Sequence, residues 1–140
     1  MPTVAAERVL LAPREDVWAF LAEPHHLPDW WPGISAVQPD RRGLAPGARW
    51  RVTGSTRPSF LRAPNPTGML VVLDVERLAR VAFQLTGERI EAELTLESTA
   101  PDRTRVTLTV SGPWLVGLGR SYPRKALARL YDLVQTAAQL

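Results

Sequence analysis

A few small groups of titratable side chains in this sequence could do chemistry, and the first is a pair of histidines. His25 and His26 are adjacent, and Asp29 follows three residues later. One imidazole can act as a general base near neutral pH, but a metal ion needs several ligands that converge on one point. Because adjacent residues in a turn usually point apart, we interpret both histidines as solvated or capping residues. The alternative is that one of the two histidines acts as a general base at the mouth of a ligand-binding cavity.

Two carboxylates form a second candidate pair. Asp74 and Glu76 would share one face of a strand, and paired carboxylates can divide the acid and base roles of a catalyst. Arg77 and Arg80 lie close by in the sequence, so we interpret this group as ion pairs on the surface. A further row of acidic residues is expected on the solvent-exposed face of a sheet: Glu91, Glu93 and Glu97.

The motifs that the sequence lacks exclude several classes of function. It contains no serine nucleophile elbow, no phosphate-binding glycine loop and no His-Glu metalloprotease motif. It contains no cysteine, which excludes thiolate catalysis and disulfides. The net charge is +3, but the arginines are spread along the chain among acids, and no nucleic-acid-binding motif occurs. We therefore expect no metal, no cofactor and no nucleic-acid partner.

The elements that would position a site begin in residues 9–34. Pro13 fits the first position of a helix, where its missing N–H costs nothing. Val17, Phe20 and Leu21 have the spacing of one helical face. Three further prolines end this helix and limit the next segment to one or two helical turns: Pro24, Pro28 and Pro32.

The rest of the chain reads as a meander of strands closed by a helix. Residues 90–96 alternate most clearly between apolar and polar, as expected for a half-buried antiparallel strand. The closing helix begins between Val116 and Tyr122 and carries one broad apolar stripe. Shorter apolar or alternating runs predict the other strands: residues 34–37, 48–53, 69–75, 81–85 and 106–110.

This order of elements resembles the helix-grip superfamily, and so do the stretches APREDVWAFLAEP and LPDWWPGI within residues 9–34, the opening segment. The superfamily is also called SRPBCC, START-like or Bet v 1-like, and it includes polyketide cyclase/dehydrase-like proteins. The resemblance implies an α+β fold in which a curved antiparallel sheet of six to seven strands wraps around a long C-terminal helix. Two short helices would follow strand 1, and residues 1–140 would form a single domain.

The resemblance also implies a function, which is binding of a small, mostly apolar ligand between the sheet and the C-terminal helix. A lipid, a polyketide or an aromatic metabolite would suit such a cavity. The alternative is a polyketide cyclase/dehydrase-type enzyme that uses a tyrosine, histidine or arginine of the cavity, with Tyr122 and His26 as candidates. The residues expected to line the cavity are Trp30, Trp50, Phe60, Leu61, Phe83, Leu94, Leu108, Tyr122, Ala126 and Leu130.

Two features leave alternatives open. In the register that we expect, Trp50 and Val52 point inward, but a slip of one residue would turn Arg49 and Arg51 into the cavity instead. The loop of residues 54–68 is rich in proline and long for a hairpin connection, so it could act as a lid.

Location and assembly are the least specified properties. The sequence shows no signal-peptide pattern and no apolar run near the roughly 20 residues that span a bilayer. We therefore expect a cytoplasmic protein without stable membrane insertion. A basic stripe on the closing helix could meet an acidic partner or a membrane, although a solvated helix face is the simpler interpretation: Arg120, Arg124 and Arg129. Both a monomer and a homodimer are compatible with the sequence.

Overall fold

A computed structural model describes residues 3–54, 67–86, 89–112 and 121–138. Seven strands form one antiparallel sheet in the order β1-β7-β6-β5-β4-β3-β2. Their bounds are Thr3–Leu10 (β1), Ile34–Gln38 (β2), Arg49–Gly54 (β3), Thr67–Glu76 (β4), Arg80–Leu85 (β5), Ile90–Ala100 (β6) and Arg103–Ser111 (β7). The helices are Arg14–Ala22 (α1), Leu27–Trp30 (α2) and Tyr122–Ala138 (α3), with a 3-10 turn over Pro24–His26.

The register of the sheet follows from the alternation of apolar and polar residues. Leu94 of β6 lies opposite Val81 of β5 on one side and Leu108 of β7 on the other, and all three are buried. Trp50 of β3 lies opposite Leu70 of β4, and both are buried as well. Because successive side chains of a strand point to opposite faces, these residues define the inner face of the sheet.

The opening segment folds into the two short helices between β1 and β2. Pro13 has φ −61° and ψ 153°, so it caps α1 from the extended region instead of occupying the first helical position that the sequence suggested. Glu15 and Asp16 lie in the first turn of α1, where the helix dipole favours negative charge. Glu23 has extended backbone because Pro24 follows it, and α1 ends before it at Ala22.

The long helix α3 packs against β1, β7, α1 and α2. Four buried residues of α3 lie on one stripe and join the inner face of the sheet in a single apolar core: Ala126, Leu127, Leu130 and Val134. Thr104 is the buried polar residue in the described part of the chain, and its hydroxyl donates to the carbonyl oxygen of Ala12 at 2.9 Å. That bond joins the start of β7 to the entry into α1.

The fold class expected from the sequence is confirmed. A seven-stranded antiparallel sheet, two short helices after β1 and a long closing helix make the α+β helix-grip arrangement. The predicted strands are present with slightly different ends, and β4, β6 and β7 extend beyond the predicted apolar runs. The predicted lid loop lies almost wholly outside the described residues.

Candidate functional site

An apolar pocket lies between the inner face of the sheet and the two short helices. Strands β3, β4, β5 and β6 form one wall, and α1, α2 and the β2–β3 connection form the other. Val81 and Leu94 are directly opposed in the sheet, as are Trp50 and Leu70. The described residues that line the pocket are Leu21, Glu23, Leu27, Trp30, Leu44, Trp50, Leu70, Val81, Phe83 and Leu94.

The pocket is narrow in this conformation. Its atom-free space is about 350 Å³ when the open solvent at its mouth is included. Only about 20 Å³ of that space can hold the centre of a water molecule. Since one water needs roughly 10–15 Å³ by this second measure, the pocket as it stands has room for about one water. A larger ligand must displace side chains of the wall.

The exposure of the lining residues locates the mouth. Leu44 is partly exposed, and the side chain of Glu23 is 47% exposed. The other eight described lining residues are buried. Glu23 is also the single ionisable side chain among the described lining residues. The pocket is therefore apolar inside and has one carboxylate at its opening.

Glu23 is held in place by His25. Its Oε1 lies 2.7 Å from Nδ1 of His25 and accepts a hydrogen bond from the backbone N–H of His25 at 3.2 Å. The side-chain contact, followed by the backbone hydrogen bond, lowers the pKa of Glu23 below its ordinary value. Glu23 is therefore an oriented carboxylate near neutral pH, and it also caps the 3-10 turn.

The wall that carries Leu44 is fixed by hydrogen bonds. The indole N–H of Trp50 donates to the carbonyl oxygen of Gly43 at 3.1 Å. Asp40 accepts the backbone N–H groups of Arg49 at 2.8 Å and Arg42 at 3.0 Å, which lowers the pKa of its carboxyl group. The N–H of Trp50 is thus used by the protein itself and is not directed at a ligand.

Aromatic rings stiffen the inner end of the pocket. Trp31 packs edge to face against Trp30 at a centroid distance of 5.5 Å and against Phe83 at 5.4 Å. Each such aromatic pair contributes about 0.5–1.5 kcal/mol beyond the burial of its two rings. The Trp-Trp pair of the opening segment therefore joins α2 to the middle of the sheet.

His26 has a structural role in this arrangement. Its ring stacks on Phe20 at a centroid distance of 4.1 Å, and Nδ1 lies 2.8 Å from the carbonyl oxygen of Phe20. A carbonyl oxygen only accepts, so Nδ1 carries the proton and donates it. His26 is not among the described lining residues, and this matches the interpretation of a capping histidine.

The predicted lining residues fall into three groups. Trp30, Trp50, Phe83 and Leu94 all line the pocket. A second group is buried in the core but is not among the described residues that line this pocket: Leu108, Ala126 and Leu130. The third group lies outside the described side chains, since Phe60 and Leu61 are not described and Tyr122 is described in its backbone only.

Several lining residues were not predicted. Leu70 and Val81 lie on the inner face of runs that the sequence did identify as strands, so the alternation pattern could have found them. Leu21 and Leu27 belong to the opening segment, from which the predicted lining set contained Trp30. Glu23 directly precedes Pro24, which was expected to end α1, so that position could have been noted. Leu44 carries no sequence signal, because its position depends on the path of a loop.

The remaining candidates lie outside the pocket. Arg49 and Arg51 are exposed, because β3 turns Trp50 inward, and they border a surface groove beside Asp40. Asp74 pairs with Arg80 at 2.6 Å, as expected for surface charges, and Arg80 also reaches Glu93 at 3.1 Å. Within the described residues, no three His, Asp or Glu side chains are grouped to hold a metal ion.

The fold and the pocket together define a helix-grip protein with an apolar site under its short helices. The sequence model of the family described as polyketide cyclase / dehydrase and lipid transport matches residues 1–136. The chain belongs to that family. A search of curated protein sequences finds no match.

Solved structures share the fold at low sequence identity. A protein from Nitrosomonas europaea is 19% identical, with a TM-score of 0.74 over 96% of this chain and 95% of its own. A START superfamily protein from Mycobacterium smegmatis is 13% identical, with a TM-score of 0.74 over 96% and 98%. The di-domain ARO/CYC BexL from the BE-7585A biosynthetic pathway is 17% identical, with a TM-score of 0.75 over 100% of this chain and 48% of its own.

No helix within the described ranges is long and apolar enough to cross a membrane.

Proposed function

We propose that this protein binds a small, mostly apolar ligand in the pocket beneath α1 and α2. A lipid, a polyketide or an aromatic metabolite has the required chemistry. The single observation that carries the proposal is the pocket itself, in which eight buried apolar side chains surround a space with one carboxylate at its mouth. Small-molecule sites commonly combine apolar walls with a few polar groups in this way.

The composition of the wall supports a ligand with rings or a flexible apolar chain. Trp30, Trp50 and Phe83 supply flat surfaces, and Leu21, Leu27 and Leu94 supply adaptable aliphatic ones. Transfer of apolar ligand surface out of water yields about 25 cal/mol per Å². That gain favours binding even though the wall must rearrange.

Widening of the pocket is part of the proposal. The space that can hold the centre of a water molecule is about 20 Å³, whereas drug-sized ligands occupy sites of about 300–1,000 Å³. The side chain of Leu44 is the apolar one with solvent on one side among the described lining residues, so its rotation carries the lowest packing cost. Binding should therefore be weaker than at a preformed site, because the cost of widening the pocket reduces the apparent affinity.

Fluorescence titration with N-phenyl-1-naphthylamine tests the proposal, since this uncharged probe brightens in apolar surroundings. We expect saturable binding of one probe per chain. The variant Val81→Ile adds a methylene to the pocket wall and should weaken binding by at least about fivefold, which corresponds to about 1 kcal/mol. Val110→Ile adds the same group at a buried core position on β7 away from the pocket and should leave affinity within about twofold.

The absence of saturable binding by the wild-type protein would refute the proposal. Equal weakening by the two variants would also count against it, because the effect would then reflect general destabilisation and not this pocket.

A second candidate function is proton-transfer chemistry of the cyclase/dehydrase type. The observation that favours it is the Glu23–His25 pair, which places an oriented carboxylate where a bound ligand would meet it. The candidates named from the sequence support it less, since His26 is engaged with Phe20 and Arg49 and Arg51 are exposed on the outer face. The side chain of Tyr122 lies outside the described part of the chain.

Exchange of the protons next to the carbonyl of 2-tetralone in deuterated buffer tests this second function. A carboxylate base in the pocket should accelerate the exchange above the buffer rate, and Glu23→Gln should abolish the acceleration. Exchange at the buffer rate in the presence of saturating protein would dispose of this candidate for this ketone and its chemical class.

A further inference from the structure

Within the described residues, one oxygen of the Glu23 carboxylate takes part in hydrogen bonds and the other does not. Oε1 of Glu23 meets both Nδ1 and the backbone N–H of His25. Oε2 makes no hydrogen bond to any part of the chain that the structure describes. An ionised carboxylate has about four lone-pair sites on its two oxygens, so Oε2 retains its full capacity to accept.

The residue that carries this oxygen borders the apolar interior of the pocket. Glu23 borders the same space as Leu27, Trp30 and Leu94. Its backbone has the extended conformation imposed by Pro24 and terminates α1. The His25 contact at 2.7 Å then limits the rotation of the carboxylate, so the side chain is oriented before a ligand arrives.

We propose that Glu23 selects, among apolar ligands, those that end in a hydrogen-bond donor, above all an ammonium group, and disfavours those that end in a carboxylate. The inference rests on the proposed binding function and names the chemical class of ligand for the same pocket. The apolar body would lie among the aromatic and leucine side chains, and the donor end would meet Oε2 at the mouth.

The chemistry of a carboxylate explains why a ligand with a donor end is favoured over one with a carboxylate end. An ionised carboxylate accepts hydrogen bonds and donates none. A hydrogen bond from a cationic donor to a carboxylate is about twice as strong as one between neutral groups. A ligand carboxylate would instead bring a like charge close to Glu23, and like charges repel. The lowered pKa of Glu23 keeps the group charged over the working pH range.

Three ligands with the same chain and different ends test the inference: decylamine, decanol and decanoate. Each competes with N-phenyl-1-naphthylamine for the wild-type protein at pH 8 and low salt. We expect decylamine to bind at least about tenfold tighter than decanoate, with decanol between them. In Glu23→Gln the amide keeps the shape and loses the charge, so decylamine and decanoate should come within about threefold of each other.

Two further variants show whether the ligand preference arises from the Glu23 carboxylate, from the overall charge or from loss of the cap on the 3-10 turn. Glu15→Gln removes the same charge from an exposed position in the first turn of α1 and should preserve the wild-type order of the three ligands. Glu23→Ser is a second neutral variant that retains a capping oxygen for the 3-10 turn, and it should behave like Glu23→Gln.

The outcomes separate the two proposals. If the naphthylamine probe binds but decanoate competes as well as decylamine, or if Glu23→Gln keeps the preference, the role of Glu23 is overturned and the binding function stands. If the preference disappears in Glu15→Gln as well, it reflects overall charge and the inference is overturned. If the wild-type protein binds no probe, both proposals fall together.

Discussion

The indole N–H of Trp50 donates a hydrogen bond to the carbonyl oxygen of Gly43 at 3.1 Å. This bond joins the sheet wall of the pocket to the opposite wall, which includes the β2–β3 connection. Trp50 belongs to β3, and Gly43 precedes Leu44 in the β2–β3 connection. One side chain therefore lines the pocket and also holds another lining residue in place.

Replacement of Trp50 by phenylalanine should loosen this wall. Trp50→Phe removes the donor and part of the ring, and we expect a loss of about 1–3 kcal/mol in the free energy of unfolding. Hydrogen exchange of the backbone amides in residues 42–48 should accelerate. Trp18→Phe makes the same change at a buried position on α1 that is not among the described lining residues, and it should leave exchange in residues 42–48 unaltered. Acceleration in both variants would argue against the specific link to Gly43.

The pKa of Glu23 should depend on His25. The side-chain hydrogen bond from His25 is the main cause of the lowered pKa, so His25→Ala should raise the pKa toward the value of an isolated glutamate. Because the folded pKa lies below the unfolded one, the contact stabilises the fold above the unfolded pKa. That contribution is lost as the pH falls through the folded pKa. Carbon-detected NMR titration of the Glu23 carboxyl group measures the shift, and identical midpoints in the two proteins would contradict this account.

The buried hydrogen bond between Thr104 and Ala12 should contribute to stability. Thr104→Val preserves the shape of the side chain but leaves the carbonyl oxygen of Ala12 without its donor. We expect a loss of about 1–3 kcal/mol in the free energy of unfolding, measured by urea denaturation. Thr107→Val makes the same change at a half-buried position of the same strand and should change stability by no more than about 0.5 kcal/mol. Equal losses at the two positions would exclude a special role for the Ala12 bond.

The ion pairs on the outer face should matter little for stability and not at all for binding. The side chain of Arg80 is 29% exposed and bridges Asp74 and Glu93. Arg80→Gln should lower the midpoint of urea unfolding only slightly, and the effect should shrink in 0.5 M salt because exposed charges are screened. Affinity for N-phenyl-1-naphthylamine should be unchanged. A loss of affinity would place the binding site on the outer face of the sheet.

The fold could be predicted because each strand and the closing helix show a local periodicity of apolar residues. Residues 90–96 alternate as a half-buried strand must, and the run that contains Ala126 and Leu130 has one apolar stripe, so each element follows from a few neighbouring residues. The order of the elements then restricts the topology to a few arrangements.

The pocket was only partly predictable because it depends on contacts between distant segments. Trp50 and Leu94 could be placed on an inner face by alternation alone. Glu23 reaches the mouth because Pro24 ends α1 there, and Leu44 reaches it because Trp50 binds the preceding carbonyl group. Neither condition can be read from the residue itself, since each depends on where another element begins or ends.

Intermolecular nuclear Overhauser effects between N-phenyl-1-naphthylamine and the isotope-labelled protein would locate the bound probe. We expect contacts from the probe rings to the methyl groups of Leu27 and Leu94 and to the ring protons of Trp30. Contacts confined to the outer face of the sheet, at the exposed Leu73 and its neighbour Ala82, would contradict the proposed site.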